Sequence, residues 1–272
     1  MKEDKDVRRI FLLNPDQRLL HEAAHSGVQV RSAQVDAHDE SALRVPLAEA
    51  AEAGLCVNPA RALRMLSDPE AVQRLVRDNR LLPGGGEVAP DDPRLTVETL
   101  SVHGMHQTVG ITARMPYGLL HPAPVTDDTA AEVRAVVTGL LDLAGYQYGP
   151  AHTGIALTRR GPVITGCRPG LADDPVPELI RVAGGFDLTA GALQVLAGQL
   201  VDAVRPNRFA AAAVLCGPWR LEAAEVAALP QVRHVSPPAA GRPGYLVVDA
   251  DSPEGVQRRL DALKPLVVAD VP

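Results

Sequence analysis

Apolar and polar residues alternate along the chain in two spacings, one typical of strands and one typical of helices. Short apolar runs bounded by charged residues, Gly or Pro predict strands, and apolar residues recurring every three or four positions predict helices. In the N-terminal part the predicted strands are 9–14, 28–31 and 55–57, and the predicted helices are 17–24, 45–53, 60–65 and 69–77. Because strands and helices alternate there, we expect a small parallel α/β layer.

The middle of the chain is predicted to be richer in strands. Its predicted strands are 97–102, 109–112, 155–158 and 162–165, and its predicted helices are 127–144, 175–183 and 188–200. Turns are expected at His103-Gly104 and at 159–161, and a Gly- and Asp-rich loop is expected over 166–174. Asp127 or Asp128 is the expected N-cap of the first of these helices.

The C-terminal part has the predicted order strand, helix, strand, strand, helix. These elements are 209–215, 221–228, 232–235, 245–249 and 253–264, with Ser252 as the expected cap of the last helix. We therefore divide the chain into four parts. They are an N-terminal α/β layer with helices (1–82), a linker (83–95), a mixed α/β core (96–204) and a small βαββα domain (205–272).

Composition and charge exclude several classes of function. A net charge of -6 and a pI near 5.7 argue against a nucleic-acid-binding surface. The three Cys residues lack the spacing of a disulfide framework or a zinc site. No apolar run reaches membrane-spanning length, and the start of the sequence lacks the apolar core of a secretory signal. We therefore expect a cytoplasmic protein with no membrane or nucleic-acid partner, and the Arg, Ala, Val and Pro bias is typical of a bacterial genome rich in GC.

Motifs in the middle of the chain resemble those of the ATP-grasp superfamily, in particular the bacterial amino-acid ligases (carboxylate–amine ligases). They are Gly149-Pro150-Ala151-His152-Thr153, Gly161-Pro162-Val163, the segment 168–174 and His121-Pro122-Ala123-Pro124. The resemblance covers about half of the chain, from Val97 to Gly198. It implies an ATP-grasp-like α/β fold of mixed α+β type, with the small C-terminal domain packed beside the active site.

The resemblance also implies where a nucleotide and its metal would bind. In these ligases two Mg²⁺ ions are held by two carboxylates and an Asn or His on the catalytic hairpin, and a nearby Arg stabilises the acyl phosphate. The matching positions here are Gly154, Gly166, Arg168 and Gly170. Because Mg²⁺ prefers carboxylate and phosphate oxygens, which these residues do not supply, we expect no bound metal, no cofactor and no use of ATP.

The linker over 83–95 supports the same expectation. In the ligases a four-stranded subdomain with a phosphate-gripping Lys stands at this place, whereas here no lysine occurs between Lys5 and Lys264. The Gly84-Gly85-Gly86 run is not followed by the Lys or Ser of a phosphate loop, so a linker is the better interpretation. The resemblance thus implies a trimmed fold that lacks most of the nucleotide-gripping subdomain.

Seven residues are candidates for a site in the old ligase pocket. The candidate catalytic residues are His152, His121 and Asp174, and the candidate substrate-binding residues are Arg168, His103, Gly166 and Gly170. The two catalytic histidines fall in motifs that line the pocket of the ligases. An Arg in such a pocket would bind a carboxylate or phosphate with forked hydrogen bonds.

Each candidate also has a structural interpretation. A buried His can simply satisfy backbone groups, and His103, like His106, can be a solvated turn residue. Arg168 can pair with a nearby Asp or Glu, and Asp174 can be a solvated loop residue. Cys167, beside Arg168, is expected to be an inert buried thiol.

Three functions follow from these alternatives. The first is a repurposed protein of bacterial specialised metabolism that binds and transforms a small carboxylate-bearing metabolite of amino-acid type without ATP. The second is a non-catalytic pseudoenzyme or scaffold, acting as a homodimer or with a pathway enzyme as its partner. The third is an ATP-dependent carboxylate–amine ligase with rebuilt metal ligands. Fold alone does not choose among them.

Overall fold

A computed structural model of the chain describes residues 8–79, 81, 88–202, 205–215, 219–239 and 243–267. These residues form two compact units whose segments interleave along the chain. The first unit lies within Met1–Val109, Thr126–Ala172 and Leu188–Ala203, and the second within Gly110–Val125, Asp173–Asp187 and Val204–Pro272. The Gly84-Gly85-Gly86 run lies outside the described residues, and the four-part division drawn from the sequence stays a prediction.

The first unit begins with the predicted parallel layer. Strand β1 (Arg9–Leu13) pairs in parallel with β2 (Gln29–Ala33), and helix α1 (Gln17–His25) connects them. The strand predicted over 55–57 is wrong, because this segment runs without regular structure from the end of one helix to the start of the next. Its apolar side chains pack against the buried cluster around Phe11, which explains the strand-like apolar run.

Three helices complete the N-terminal part. They are α2 (Glu40–Glu52), α3 (Ala60–Ser67) and α4 (Pro69–Asp78). Helix α2 begins earlier than predicted because the Asp39 side chain caps it, accepting hydrogen bonds from the backbone N–H groups of Ser41 and Ala42. Asp68 caps α4 in the same way.

An antiparallel sheet forms the centre of the first unit. Strand β3 (Arg94–Val102) pairs with β6 (Gly149–Thr158), which pairs on its other edge with β7 (Gly161–Pro169). Strand β4 (Met105–Met115) follows β3 through the His103-Gly104 turn and begins in this unit. Backbone pairing extends β6 and β7 well past their apolar runs, so the predicted loop over 166–174 begins only after Pro169.

Two helices flank this sheet. They are α5 (Asp127–Ala144) and α7 (Leu188–Leu196). Thr126 caps α5 through its hydroxyl, so the predicted caps Asp127 and Asp128 are instead the acidic residues of the first turn, where they favour the helix dipole. Helix α7 ends four residues before its predicted limit and is followed by Gly198 at φ +76°.

The second unit has its own antiparallel sheet order, β5-β8-β10-β9. Its strands are β5 (Gly118–His121), β8 (Phe209–Leu215), β9 (Val232–Ser236) and β10 (Gly244–Ala250), and its helices are α6 (Val176–Gly184), α8 (Ala223–Ala227) and α9 (Pro253–Val267). Its core is formed by buried apolar residues, among them Leu120, Leu246 and Leu260. The C-terminal elements follow the predicted βαββα order.

The two units together confirm the expected mixed α/β fold class. No single helix in the part of the chain that the structure describes is long and apolar enough to cross a membrane.

Candidate functional site

The first unit contains an open cavity of about 360 Å³. Its volume lies within the range of small-molecule binding sites, and such sites combine an apolar lining with a few polar groups. The apolar lining includes Phe11, Leu13, Leu43, Leu47, Leu171 and Leu196, and the polar lining includes Asn14, Asp16, Cys56, Asn58, Tyr148 and Arg168. The N-terminal layer and the β6–β7 hairpin both contribute to it.

Two polar residues of the wall are held by local hydrogen bonds at the end of β1. Asn14 adopts a positive φ of 47°, and its side-chain amide forms two 2.8 Å hydrogen bonds with the backbone of Val35. Asp16 caps α1 and pairs with the Arg18 side chain at 2.8 Å, which lowers the pKa of its carboxyl group. These bonds fix the end of the strand as a rigid wall.

A third polar residue, Asn58, connects the wall to the start of β6. Its side-chain oxygen accepts hydrogen bonds from the backbone N–H groups of Gln147 (2.7 Å) and Tyr148 (3.0 Å), and its side-chain nitrogen donates to the Tyr148 carbonyl (2.6 Å). The Asn58 side chain thereby pairs with this backbone through both its oxygen and its nitrogen, as the C=O and N–H groups of a neighbouring strand would. The result is a fixed position for Tyr148 in the cavity lining.

The β6–β7 hairpin places Arg168 and Gly170 in the cavity lining. A Cβ atom added to Gly170 would lie 3.6 Å from a guanidinium nitrogen of Arg168, so this Arg lies over a residue without a side chain. Two strand pairs nearer the hairpin turn than Arg168, Gly154 and Gly166 stand opposite each other. The positions that the resemblance assigns to metal ligands therefore present a guanidinium and bare backbone.

These residues do not fit a Mg·ATP site. A carboxylate at either glycine would be needed to hold a divalent cation beside the phosphates. Within the described residues, no group of three or more His, Cys, Asp or Glu side chains is arranged to hold a metal ion. Positive charge from Arg168 would further oppose a cation here.

Three charged or polar residues stand side by side across the sheet. Glu98 on β3 is the register partner of His152 on β6, which is the register partner of Arg168 on β7. Register partners point to the same face of a sheet. The row thus places a carboxylate, an imidazole and a guanidinium on one face, next to the Gly154–Gly166 pair.

The Glu98–His152 contact is a short hydrogen bond of 2.7 Å to Nδ1 of the imidazole. Glu98 is buried, with 2% of its side chain exposed, whereas 23% of the His152 side chain is exposed. A buried carboxylate needs a donor to offset its desolvation, and Nδ1–H of His152 supplies one. Nothing in the local sequence marks Glu98 as a site residue, because it stands among apolar strand residues; its contact with His152 follows from the pairing of β3 with β6.

His103 lies in the β3–β4 turn with a positive φ of 51° and is exposed. Its Nδ1 forms a 2.6 Å hydrogen bond with the Tyr148 hydroxyl, and the two rings meet edge to face at 5.0 Å. Its turn neighbour His106 differs from the expectation of a solvated residue. The His106 side chain is buried and bonds to Ser101 Oγ at 2.8 Å, and burial lowers its pKa.

The remaining sequence candidates belong to the second unit. His121 is 2% exposed, its Nδ1 donates to the Ile111 carbonyl at 3.1 Å, and burial lowers its pKa to about 4. Asp174 is exposed and precedes Pro175 through a cis peptide bond. Neither residue is part of the cavity lining described above, which contains Arg168 and Gly170 of the seven candidates. Their catalytic assignment stays a prediction.

Two cysteines lie within the described residues, and their environments differ. Cys167 is buried, and burial raises the pKa of its thiol to about 11, which agrees with the expected inert thiol. Cys56 is half-buried and lines the cavity. Sequence spacing carried no signal for Cys56, since its neighbours in the cavity, Tyr148 and Arg168, come from distant parts of the chain.

Several solved structures have a fold similar to that of this chain. L-amino acid ligase from Bacillus licheniformis matches 97% of this chain over 99% of its own, with a TM-score of 0.73 and 15% identity. N5-carboxyaminoimidazole ribonucleotide synthetase from Thermotoga maritima matches 97% over 100%, with a TM-score of 0.72 and 11% identity. Phosphoribosylglycinamide synthetase from Anaerococcus prevotii matches with a TM-score of 0.71 and 8% identity. The likeness is one of fold.

Sequence comparison adds one relative. The chain is 29% identical over 155 residues to "Uncharacterized protein y4rH" of Sinorhizobium fredii (strain NBRC 101917 / NGR234). The matched region is 51% of this chain but only 32% of that relative's length. No protein-family model matches the chain.

Proposed function

We propose that this chain, which has an ATP-grasp-type fold, binds a small carboxylate-bearing molecule in the cavity of its first unit and does so without Mg·ATP. The observation that carries the proposal is the position of Arg168. It lines the cavity beside Gly170, two strand pairs from Gly154 and Gly166, where the resemblance implies metal ligands. The positions at which the resemblance implies a bound cation are thus suited to an anion in this chain.

The lining of the cavity suits a ligand that has one anionic group and is otherwise mainly apolar. The planar guanidinium offers paired donors that match the two oxygens of a carboxylate. Leu43, Leu47 and Leu196 provide apolar surface for the remainder of the molecule. A volume of about 360 Å³ suits a ligand of amino-acid size with a branched or aromatic side chain.

The residues beside Arg168 also support chemistry that does not need a nucleotide. Because the Glu98 carboxylate only accepts hydrogen bonds, it holds the proton of His152 on Nδ1 and leaves Nε2 of the neutral ring as a proton acceptor. A base oriented by a buried carboxylate is a common arrangement for proton transfer. On a bound carboxylate, His152 would move a proton at a carbon or heteroatom near the anionic group.

Calorimetric titration tests the proposal with matched ligands. The probes are 4-methylpentanoate and phenylacetate, each compared with its uncharged amide, and Mg·ATP at millimolar concentration. We expect saturable heat with at least one carboxylate, no binding of the matching amide, and loss of the signal in Arg168→Gln. Saturable heat with Mg·ATP, or equal binding of acid and amide, would contradict the proposal.

A further inference from the structure

Three side chains with proton-transfer or nucleophilic chemistry meet at the edge of the cavity. Cys56 lies on the segment between α2 and α3, Tyr148 precedes β6, and His103 lies in the β3–β4 turn. The Tyr148 hydroxyl is 2.6 Å from Nδ1 of His103. The same hydroxyl interacts with the Cys56 side chain, and burial together with the charge and hydrogen bond of Cys56 raises the pKa of Tyr148.

Gly198 packs against the same cluster. A Cβ atom added to it would lie 3.0 Å from Sγ of Cys56 and 3.8 Å from Nε2 of His103. Any larger residue here would press on the thiol, and the positive φ of 76° also favours glycine. The backbone of Gly198 therefore leaves the thiol room beside the two ring side chains.

The cluster is held from outside by two features already described. Asn58 fixes the backbone of Tyr148 through two hydrogen bonds and that of Gln147 through a third. The turn holds His103 at φ 51° next to Gly104 at φ 73°, the geometry of a two-residue hairpin in which Asn-Gly is the preferred pair. A His at the first position is less favourable there, and it places an imidazole on the Tyr148 hydroxyl.

We propose that Cys56 is a nucleophilic thiol of the cavity, whose proton leaves through the Tyr148 hydroxyl to Nδ1 of His103, and that it adds to an α,β-unsaturated carboxylate. The thiol and its proton path rest on the three side chains alone. The carboxylate part rests on the proposed function, since Arg168 lines the same cavity. Addition to an activated alkene needs a nucleophile and a proton path, and the cluster supplies both.

The step is balanced without a leaving group or an oxidant. Cys56 gives its proton to the Tyr148 oxygen while Tyr148 gives its own to His103, so a thiolate forms beside an imidazolium. The sulfur forms a bond to the β carbon as the alkene π bond breaks. The proton then returns along the same path to the α carbon. Tyr148 and His103 act as positioning and relay residues, and Cys56 is the group that touches the substrate.

Alkylation kinetics test the thiol and the carboxylate parts separately. The probes are iodoacetamide and iodoacetate, from which the Cys56 sulfur displaces iodide, and labelled protein is counted by mass spectrometry with peptide mapping. Cys216, which lies outside the described residues, is replaced by Ser in every variant, and buried Cys167 serves as an internal unreactive control. N-acetylcysteine provides the rate of an unassisted thiol.

We expect Cys56 to react with iodoacetamide at pH 7 about tenfold faster than N-acetylcysteine, because the hydrogen-bonded Tyr148–His103 pair accepts the thiol proton as the sulfur attacks. Tyr148→Phe should remove this advantage. His103→Asn, which keeps a favoured turn residue, should do the same and give the steep pH profile of an unassisted thiol. Thermal unfolding of each variant checks that the fold is kept, and the Asn variant keeps the test open if the Phe variant does not fold.

Iodoacetate isolates the second part of the proposal. We expect the rate ratio of iodoacetate to iodoacetamide to exceed that of N-acetylcysteine and to fall to it in Arg168→Gln. Fast labelling that depends on Tyr148 and His103 but shows no preference for iodoacetate supports the thiol and overturns the carboxylate part. Labelling at the free-thiol rate, unchanged in both relay variants, overturns the whole proposal.

Discussion

Glu98 and His152 form a 2.7 Å hydrogen bond across neighbouring strands, and one member is buried while the other reaches the surface. The bond decides the tautomer of the imidazole, because a carboxylate cannot donate a proton to Nδ1. The register of β6 and β7 sets His152 beside Arg168 on the same face of the sheet. A carboxylate, an imidazole and a guanidinium are therefore ordered along a single line of three strands.

Removing the donor from this pair should destabilise the protein. His152→Ala takes the Nδ1–H bond from the buried carboxylate of Glu98, and we expect a loss of about 2–3 kcal/mol, as for hydrogen bonds to charged groups. His152→Asn keeps a donor close to the position of Nδ1 and should recover most of the loss. Urea unfolding midpoints at pH 7 measure both variants, and equal midpoints for Ala and Asn would show that the bond contributes little.

The guanidinium of Arg168 should matter by its shape as well as by its charge. Arg168→Lys keeps the positive charge but loses the paired donors, so a bound carboxylate should be held more weakly by about 1.5–3 kcal/mol. This corresponds to a dissociation constant raised by roughly tenfold or more. Titration calorimetry with 4-methylpentanoate measures the change. A Lys variant that binds as tightly as the wild type would mean that charge alone holds the ligand.

Buried His121 should make stability depend on pH. Burial lowers its pKa from 6.5 to about 4 in the folded state, so the unfolded chain binds a proton first as pH falls. Its contribution is fully present above pH 6.5, falls by about 2 kcal/mol by pH 5, and is lost as pH reaches 4. Urea midpoints at pH 7 and pH 5 measure the loss.

His121→Asn is the matched control for this titration. It keeps a donor for the Ile111 carbonyl but does not titrate, so the difference in stability between pH 7 and pH 5 should shrink. His106 changes stability in the same direction, since its pKa is also lowered by burial, and it remains in both proteins. An Asn variant with an unchanged pH dependence would show that His121 is not the titrating group.

Two strand glycines should respond oppositely to the same substitution. A Cβ atom added at Gly166 meets nothing within 4 Å, whereas one at Gly118 would lie 2.1 Å from the Ala212 carbonyl oxygen at a φ of 143°. Gly166→Ala should stabilise the fold by about 0.4–1 kcal/mol through lower entropy of the unfolded chain. Gly118→Ala should destabilise it by more than about 2 kcal/mol. Thermal unfolding compares the two, and a loss at Gly166 would point to a need for bare backbone there.

The sequence predicted most elements because their apolar residues keep a regular spacing. It missed the full length of β6 and β7, since residues 149–154 and 166–169 carry few apolar side chains and become strand only by pairing with neighbours. Motif resemblance places both Arg168 and His152 among the site candidates, and the structure makes them register partners on β7 and β6. The sequence does not predict Glu98, Cys56 and Tyr148 as site residues, because the residues they contact lie 45 or more positions away and no local pattern encodes such contacts.

The interleaving of the two units along the chain affects how the protein is made. Strand β5 ends at His121, and its partner in β8 begins with Ala210, about 90 residues later. At 5–20 residues per second, a ribosome exposes that open strand edge for roughly 5–20 seconds before the partner emerges. An unpaired edge is a template for wrong pairing, so β5 is open to mispairing in the newly made chain until β8 emerges. A gene shortened near residue 205 would leave that edge open permanently.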